Sequence, residues 1–306
     1  MKKWLGLVAR VLGTAAAFAW IATRVDLAAV RTAIVRIPPG AIAIATALVA
    51  ANVVAGAVRW RVLQRAYGAT QIARLAVLVR LYFVAFFYNT YLPGAVAGDV
   101  GRGVVSRAAF PAEGATGALA VVLVERALGL LGLFVLLAVG LVATHGALDP
   151  GALWWWTVLG SAGSVALVAA IPLARTLAPH LPSRLARIAE KLPALHDRAA
   201  FAEAIALSIA TQALVAAAGW VILDALAPIS IAGSLLVVPL AAATAFLPIT
   251  VGGAGAREAV YVALCGTLFA MPQADALAAS LGLWLAHLLV GAGGAVTQLL
   301  RRRDIS

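Results

Sequence analysis

Residues 92–102 read LPGAVAGDVGR, and residues 247–258 read LPITVGGAGARE. Each stretch has a Leu-Pro pair, a glycine five residues after the proline, and an arginine four residues after that glycine. Proline and glycine interrupt helices, and arginine and aspartate are costly to place in hydrocarbon. Two such stretches at matched spacing, each within apolar sequence, predict two broken helices around a shared polar site. Broken helices in corresponding halves also predict an inverted internal repeat.

The composition indicates a membrane protein. Hydrophobic residues make up 64% of the 306 residues and charged residues 11%, and the mean hydropathy is +1.02. Several apolar runs approach the ~20 residues that a helix needs to cross a bilayer. We therefore expect an all-α polytopic integral membrane protein with two broken or re-entrant Pro-Gly segments. Residues 1–306 would form a single transmembrane domain, with motif 89–102 in the first half and motif 247–258 in the second.

The basic residues predict the topology. The net charge is +11, but the bases follow apolar segments, as expected for cytoplasmic loops, so no nucleic-acid partner is predicted. A second span over 40–58 is followed by a basic loop that begins at Arg59, and an amphipathic connection over 174–200 is also basic. These loops predict that both termini are cytoplasmic. We expect the membrane to be a bacterial-type plasma (inner) membrane. The segments 145–153 and 224–233 lack Lys and Arg and should be external.

Counting crossings then constrains the first motif. A full crossing over 75–92 would place Arg102 outside and contradict the external position of 145–153. The simplest solution is a re-entrant segment, which is tolerated where backbone is buried in protein or lines a wet cavity. The second motif either re-enters or joins two full spans. Residues 25–37 are too polar to cross, and they predict an interfacial amphipathic helix that ends at Pro38-Pro39.

The charged residues of the two motifs are the first candidates for a binding site. Asp99 and Arg102 are three residues apart, so on a helix they share a face and can pair. The alternative is an ordinary interfacial ion pair. Arg257 and Glu258 are adjacent and point about 100° apart on a helix. We therefore expect each to find a partner elsewhere, and Arg102 and Arg257 to face a common cavity. The alternative for this second pair is the end of a cytoplasmic loop.

A third charged pair and several backbone positions complete the candidate site. Glu125 and Arg126 lie inside an apolar segment, which predicts either a polar path or a structural salt bridge between helices. Asn89 precedes the first break and would bind headgroup oxygens or cap freed backbone groups. The backbone positions predicted to break the helices, or to form a nest of N–H groups for an anion, are Pro93, Gly94, Gly98, Pro248, Gly252, Gly253 and Gly255. Glycines of this kind also serve close helix packing.

No catalytic residue, metal ligand or cofactor is predicted. The single cysteine, Cys265, excludes an intramolecular disulfide, and the four histidines lack metal-ligand spacing. The sequence contains no phosphate-binding loop, nucleophile elbow or zinc-protease motif. Because no ATP-binding motif is predicted, any transport of a substrate by this protein would be downhill or coupled to an ion.

Three ordered motifs together resemble the lysylphosphatidylglycerol synthetase/flippase transmembrane family. They are Asn89-x3-Pro93-Gly94-x3-Gly98-Asp99-x2-Arg102, then Glu125-Arg126, then Pro248-x3-Gly252-Gly253-x-Gly255-x-Arg257-Glu258. Arg59-Trp60 is similar to the same family. The resemblance implies an integral membrane protein of about eight helices. In bifunctional members of that family this region moves an aminoacylated phospholipid between leaflets, and other members are linked to lipid-linked sugar or hopanoid pathways.

One departure from the family pattern is Ala97-Gly98-Asp99, where family members often have Gly-Gly-Asp. We also expect no soluble aminoacyl-transfer domain of the kind found in the bifunctional members, and therefore no lipid aminoacylation.

The leading functional hypothesis is translocation of a phospholipid or a polyprenyl- or isoprenoid-linked lipid between leaflets. Its partners would be membrane lipids with an anionic or lipid-linked headgroup, together with enzymes of lipid biosynthesis. The predicted headgroup-binding residues are Asn89, Asp99, Arg102, Glu125, Arg126, Arg257 and Glu258. One alternative is a membrane transferase on a lipid-linked sugar, with Asp99 or Glu258 as general base. Another is a non-catalytic partner of a lipid-synthesis complex.

Overall fold

The computed structural model describes residues 2–92, 96–145, 151–246, 250 and 252–303. Pro93, Gly94 and Pro248, which we predicted to break the helices, lie outside these ranges. The regular structure of the described residues is helical. The α-helices are α1 (Lys2–Ala22), α2 (Leu27–Arg36), α3 (Pro39–Ala66), α4 (Leu75–Tyr91), α5 (Ala97–Val105), α6 (Gly114–Ala143), α7 (Leu153–Thr176), α8 (Ser183–Ala189), α9 (Arg198–Asp224), α10 (Ile231–Ala243), α11 (Ala256–Phe269) and α12 (Gln273–Arg303).

Five of the described helices are long and apolar enough to cross a membrane, namely α3, α6, α7, α9 and α12. Residues Val11–Ala22 of α1 and the helix α2 pass the same test together, but an 87° bend separates them. Counted as one span, they bring the total to six. The prediction of an all-helical, multi-pass membrane protein is therefore confirmed, whereas the count of about eight helices stays a prediction.

The bounds of two predicted segments can be compared directly with the structure. The amphipathic helix predicted over 25–37 is α2, which begins after Asp26, whose side chain accepts a hydrogen bond from Ala28 N at 2.9 Å. The prediction that a loop begins at Arg59, after a span ending at Val58, is wrong, because α3 continues to Ala66. Arg59 is therefore a helical residue, and it is only 6% exposed.

The helices α3 and α9 form the central antiparallel pair. Arg65 near the end of α3 pairs with Glu203 near the start of α9, at 3.0 Å. At the opposite end of the pair, Ile42 of α3 and Ile222 of α9 both lie against Gly282 of α12. Small and β-branched side chains fill the core between the two helices. This packing brings the first and second halves of the chain together along their length.

The chain reverses direction at the first motif. The backbone N–H of Gly98 donates to Asn89 Oδ1 at 2.9 Å, and a Cβ on Gly98 would lie 2.0 Å from the Ala85 carbonyl oxygen. Thirteen residues of straight helix would separate Ala85 from Gly98 by about 20 Å. The helix α5 therefore folds back against α4, and only glycine fits at the contact.

The second motif reverses in a similar way. A Cβ on Gly253 would lie 3.0 Å from the Ala245 Cα, although eight residues of straight helix would span about 12 Å. Gly253 has a φ of 83°, a conformation that favours glycine. The helix α11 consequently packs against α10. In both motifs the glycine five residues after the proline lies against the arm that precedes the break.

The helix contacts of the two halves correspond to each other. The helix α4 packs on α12 as α10 packs on α6, and α5 packs on α6 as α11 packs on α12. The helix α3 packs on α12 as α9 packs on α6. Exchanging α3–α6 with α9–α12 therefore preserves each of these contacts.

Candidate functional site

A buried ionic cluster forms where α5 meets α6. Arg102 Nε lies 3.0 Å from Asp99 Oδ1, as the three-residue spacing predicted. Arg102 Nη2 lies 2.6 Å from Glu125 Oε2, and both of these side chains are at most 2% exposed. Arg126 Nη1 lies 2.5 Å from Asp99 Oδ2. Two motifs that are separated in the sequence are thus joined by alternating charges, which is how a low-dielectric interior tolerates them.

Residues of three further helices complete the cluster around Glu125. Arg59 Nη2 lies 3.0 Å from Glu125 Oε1, and the Tyr82 hydroxyl donates to the same oxygen at 2.9 Å. Arg59 Nη1 also donates to Thr211 Oγ1 of α9, at 3.1 Å. Glu125 therefore accepts from α3 and α4 and pairs with Arg102 of α5. The sequence predicts Arg59 in a loop, and it assigns neither Tyr82 nor Thr211 to the site.

Aromatic rings enclose the Arg102 guanidinium. Its Cζ lies 4.7 Å from the Trp60 ring centroid and 4.5 Å from that of Tyr82. At these distances the ring faces attract the cation. The Arg59-Trp60 pair noted in the sequence thus contributes both residues, one through an ion pair and the other through its ring. Arg102 is fixed on several sides and is 4% exposed.

Glu258 supports the second reversal. Its Oε2 accepts from Gly255 N at 2.7 Å and so caps the start of α11, where Gly255 has a φ of 82°. Its Oε1 accepts from Ser280 Oγ at 3.3 Å and pairs with Arg257, whose Nε lies 2.8 Å away. The expectation that Arg257 and Glu258 need separate partners is wrong. The capping bond turns the Glu258 carboxylate towards the helix start, where the long side chain of Arg257 reaches it.

A cavity of about 310 Å³ lies between the two halves. It is bounded by α4 and α6 from the first half and by α9–α12 from the second. The predicted site residues that line it are Asn89, Arg126, Gly252, Gly253 and Arg257. Arg126, rather than Arg102, is the first-half arginine that faces it. Asp99, Arg102 and Glu125 lie behind Arg126 in the ionic cluster.

The arginines that line the cavity differ from those behind it in exposure. The side chains of Arg126 and Arg257 are each 24% exposed, compared with 8% for Arg59 and 2% for Arg102. The four arginines face three carboxylates, which leaves this set with a formal charge of +1. Each lining arginine is held by a carboxylate, Asp99 or Glu258, that itself has another partner. The cavity therefore presents cations at fixed positions and suits an anion.

Two other residues of the lining, Tyr261 and His287, are not among the predicted site residues. Tyr261 of α11 is 1% exposed, and its hydroxyl has no hydrogen-bond partner among the described residues. The His287 ring stacks on Phe86, with centroids 5.9 Å apart, and its Nδ1 lies 2.8 Å from Leu283 O. A second cavity of about 310 Å³ shares Asn89 and Arg257 and extends towards α1. Only the packing of distant helices brings these residues together.

Together the fold and the site define a class of protein. It is a polytopic helical membrane protein in which two chain reversals meet at an arginine-lined cavity backed by a buried ionic cluster. Residues 7–294 match the protein family described as the lysylphosphatidylglycerol synthase TM region. The chain belongs to this family, which confirms the resemblance drawn from its motifs. No curated protein matches the chain.

Proposed function

We propose that the protein moves an anionic lipid headgroup from one membrane leaflet to the other through the cavity lined by Arg126 and Arg257. The observation that carries this proposal is that one cation from each half of the chain lines the same cavity, beside a chain reversal. A charged headgroup in hydrocarbon is costly unless protein groups replace its water. Fixed guanidinium groups can do this for a phosphate because they donate several hydrogen bonds in a planar array.

The carboxylates behind the arginines support reversible binding. At rest, Asp99 neutralises Arg126 and Glu258 neutralises Arg257. A phosphate entering the cavity would share these arginines. Asp99 would keep Arg102, and Glu258 would keep the N–H of Gly255. Binding therefore strands no buried charge, and the resting ion pairs can re-form when the headgroup leaves.

The correspondence of helix contacts supports an inverted repeat. In the proposed arrangement, α3–α6 and α9–α12 are equivalent units related by an axis in the membrane plane. The antiparallel packing of α3 on α9 supports this axis, because an axis along the membrane normal would make equivalent helices parallel. Both reversals would then be re-entrant and would enter from opposite faces. Cytoplasmic termini and the plasma membrane complete the proposal, on the distribution of basic residues.

A reconstituted system tests the proposal. Purified protein is placed in liposomes that carry fluorescent phosphatidylglycerol, phosphatidylcholine or polyprenyl phosphate, and a quencher is added outside. The protein should expose inner-leaflet anionic probe to the quencher without changing it chemically. Arg257→Gln and Arg126→Gln should each abolish this exchange while the protein stays folded. Arg61→Gln removes an exposed charge from α3 that lies away from the cavity, and it should exchange lipid as the wild type does.

Two results would contradict the proposal. One is a folded double variant, Arg126→Gln with Arg257→Gln, that exchanges lipid at the wild-type rate. The other is a wild-type protein that exchanges none of the probes. If it instead alters a probe covalently, the result would favour a transferase.

A further inference from the structure

A third cavity, of about 560 Å³, lies between α6, α7 and α9, away from the cavity lined by Arg126 and Arg257. Among the described residues, the two cavities share no lining residue. The helix α6 packs against both α7 and α9 and forms the back of the space between them. The segment that joins α8 to α9 closes one end, through Pro193 and Leu195. The volume of the cavity is within the range of small-molecule binding sites.

The lining is apolar except at that closed end. The α7 residues that line it are Val165, Val168, Ala169, Pro172 and Thr176, which fall on one helical face. Leu131 of α6 and Ile205 of α9 line it from the other helices. Arg175 is the charged residue among the described lining. The cavity thus resembles an amphiphile in its polarity, with a long apolar part and a cation at one end.

The length of the cavity matches one leaflet of a bilayer. Val165 and Thr176 are eleven residues apart on α7, which corresponds to about 16 Å along the helix. The hydrocarbon core of a bilayer is about 30 Å thick, so one leaflet contributes about 15 Å. The helix α7 is among the helices able to cross a membrane, and Val165 is exposed on it. An acyl chain lying along this face would therefore end beside Arg175.

Hydrogen bonds hold the polar end of this cavity in place. Arg175 Nη1 donates to Leu192 O at 2.8 Å, and this is its one hydrogen bond among the described residues. Arginine has five N–H donors, so others remain for a ligand. His196 N donates to Ala66 O at 2.8 Å, which fixes the closing segment to the end of α3. Burial raises the pKa of the Tyr67 hydroxyl, which also lines this end, to about 12, so it remains a neutral donor at physiological pH.

The surrounding charge specifies the headgroup. The segment from Arg175 to Arg198 contains five arginine or lysine residues and two carboxylates. Such basic segments attract anionic lipids at the membrane surface.

We propose that this cavity is a binding site for one acyl chain of an anionic membrane phospholipid, whose headgroup lies at Arg175. The site is distinct from the proposed translocation cavity, and the proposal does not rest on that function.

Photolabelling with a lipid analogue tests the site. Full-length protein in phosphatidylcholine liposomes is exposed to phosphatidylglycerol that carries a diazirine in one acyl chain, and labelled peptides are identified by mass spectrometry. We expect labelling within 165–176 and 193–205. Tenfold excess unlabelled phosphatidylglycerol should reduce it several-fold, whereas the same amount of a second zwitterionic lipid, phosphatidylethanolamine, should not. Equal competition by both added lipids, or labelling confined to other segments, would overturn the proposal.

Matched variants separate this site from general contact with lipid. Ala169→Phe fills the cavity, and Arg175→Gln removes its cation, so both should lose most of the labelling. Val158→Phe adds the same ring elsewhere on α7 at a position that is 55% exposed, and Arg187→Gln removes a charge that is not in the lining. Both controls should label as the wild type does. Lipid-exchange activity is measured in parallel, and its absence from the wild type would contradict the translocation proposal alone. Undiminished labelling of both Ala169→Phe and Arg175→Gln would refute the lipid site.

Discussion

Replacing Arg102 with glutamine removes the cation that joins Asp99 to Glu125. Removing one member of a buried ion pair costs about 3–5 kcal/mol, because the remaining charge is stranded. Here each carboxylate keeps another arginine, Arg126 for Asp99 and Arg59 for Glu125. We therefore expect the lower end of the range, about 3 kcal/mol. At about 2–4 °C per kcal/mol, the midpoint of thermal unfolding should fall by about 6–12 °C.

The appropriate comparison is Arg126→Gln. This side chain is 24% exposed, and its partner Asp99 keeps Arg102. We expect its unfolding midpoint to fall by less than about 4 °C, since a partly solvated ion pair contributes at most about 1 kcal/mol. Thermal unfolding of both purified variants in one detergent, followed by tryptophan fluorescence, measures the difference. An Arg102→Gln protein as stable as the wild type, or less affected than Arg126→Gln, would refute the structural role assigned to the cluster.

Three further predictions concern backbone contacts, capping and topology. Gly98→Ala should destabilise by at least about 1–3 kcal/mol, because its Cβ would lie 2.0 Å from a carbonyl oxygen on α4. Gly101→Ala on the same helix meets nothing within 4 Å and should fold normally; equal midpoints of thermal unfolding would contradict the close contact. Glu258→Ala should lower the free energy of unfolding by at least about 1–2 kcal/mol, because α11 loses its cap and Arg257 loses its carboxylate, and an unchanged midpoint would argue against both contacts. A cysteine at Arg65 should react with a membrane-impermeant thiol reagent only from the cytoplasm and one at Ser230 only from outside, and the reverse labelling would overturn the topology.

Local patterns in the sequence predicted the parts of the site that depend on one helix or one turn. The pairing of Asp99 with Arg102 follows from helical spacing alone. Gly98 and Gly253, which the pattern assigns to the helix breaks, lie at the two chain reversals. These features depend on residues no more than about thirteen positions apart, so they can be predicted from the local sequence pattern.

Contacts between distant helices were not predictable in the same way. Arg59 was assigned to a loop because it ends a hydrophobic run, yet its partner Glu125 lies 66 residues away on α6. The positions of Tyr82 and Tyr261 were missed, since aromatic residues in apolar helices are usually simple packing residues. The pairing of Arg257 with Glu258 was rejected on helical angles. Those angles locate the Cβ atoms but not the ends of long side chains.

The glycine contacts at the two reversals restrict how this molecule can change shape. At Gly98 and Gly253 backbone lies directly against backbone, so no side chain is available to change rotamer and loosen either chain reversal. Each reversal should consequently move as a rigid body. The seam between α3 and α9, by contrast, contains small residues such as Ala45 and Ala218, which allow helices to slide past each other. If the cavity opens alternately to the two leaflets, shear along this seam is the motion that would expose it, while both reversals keep their shape.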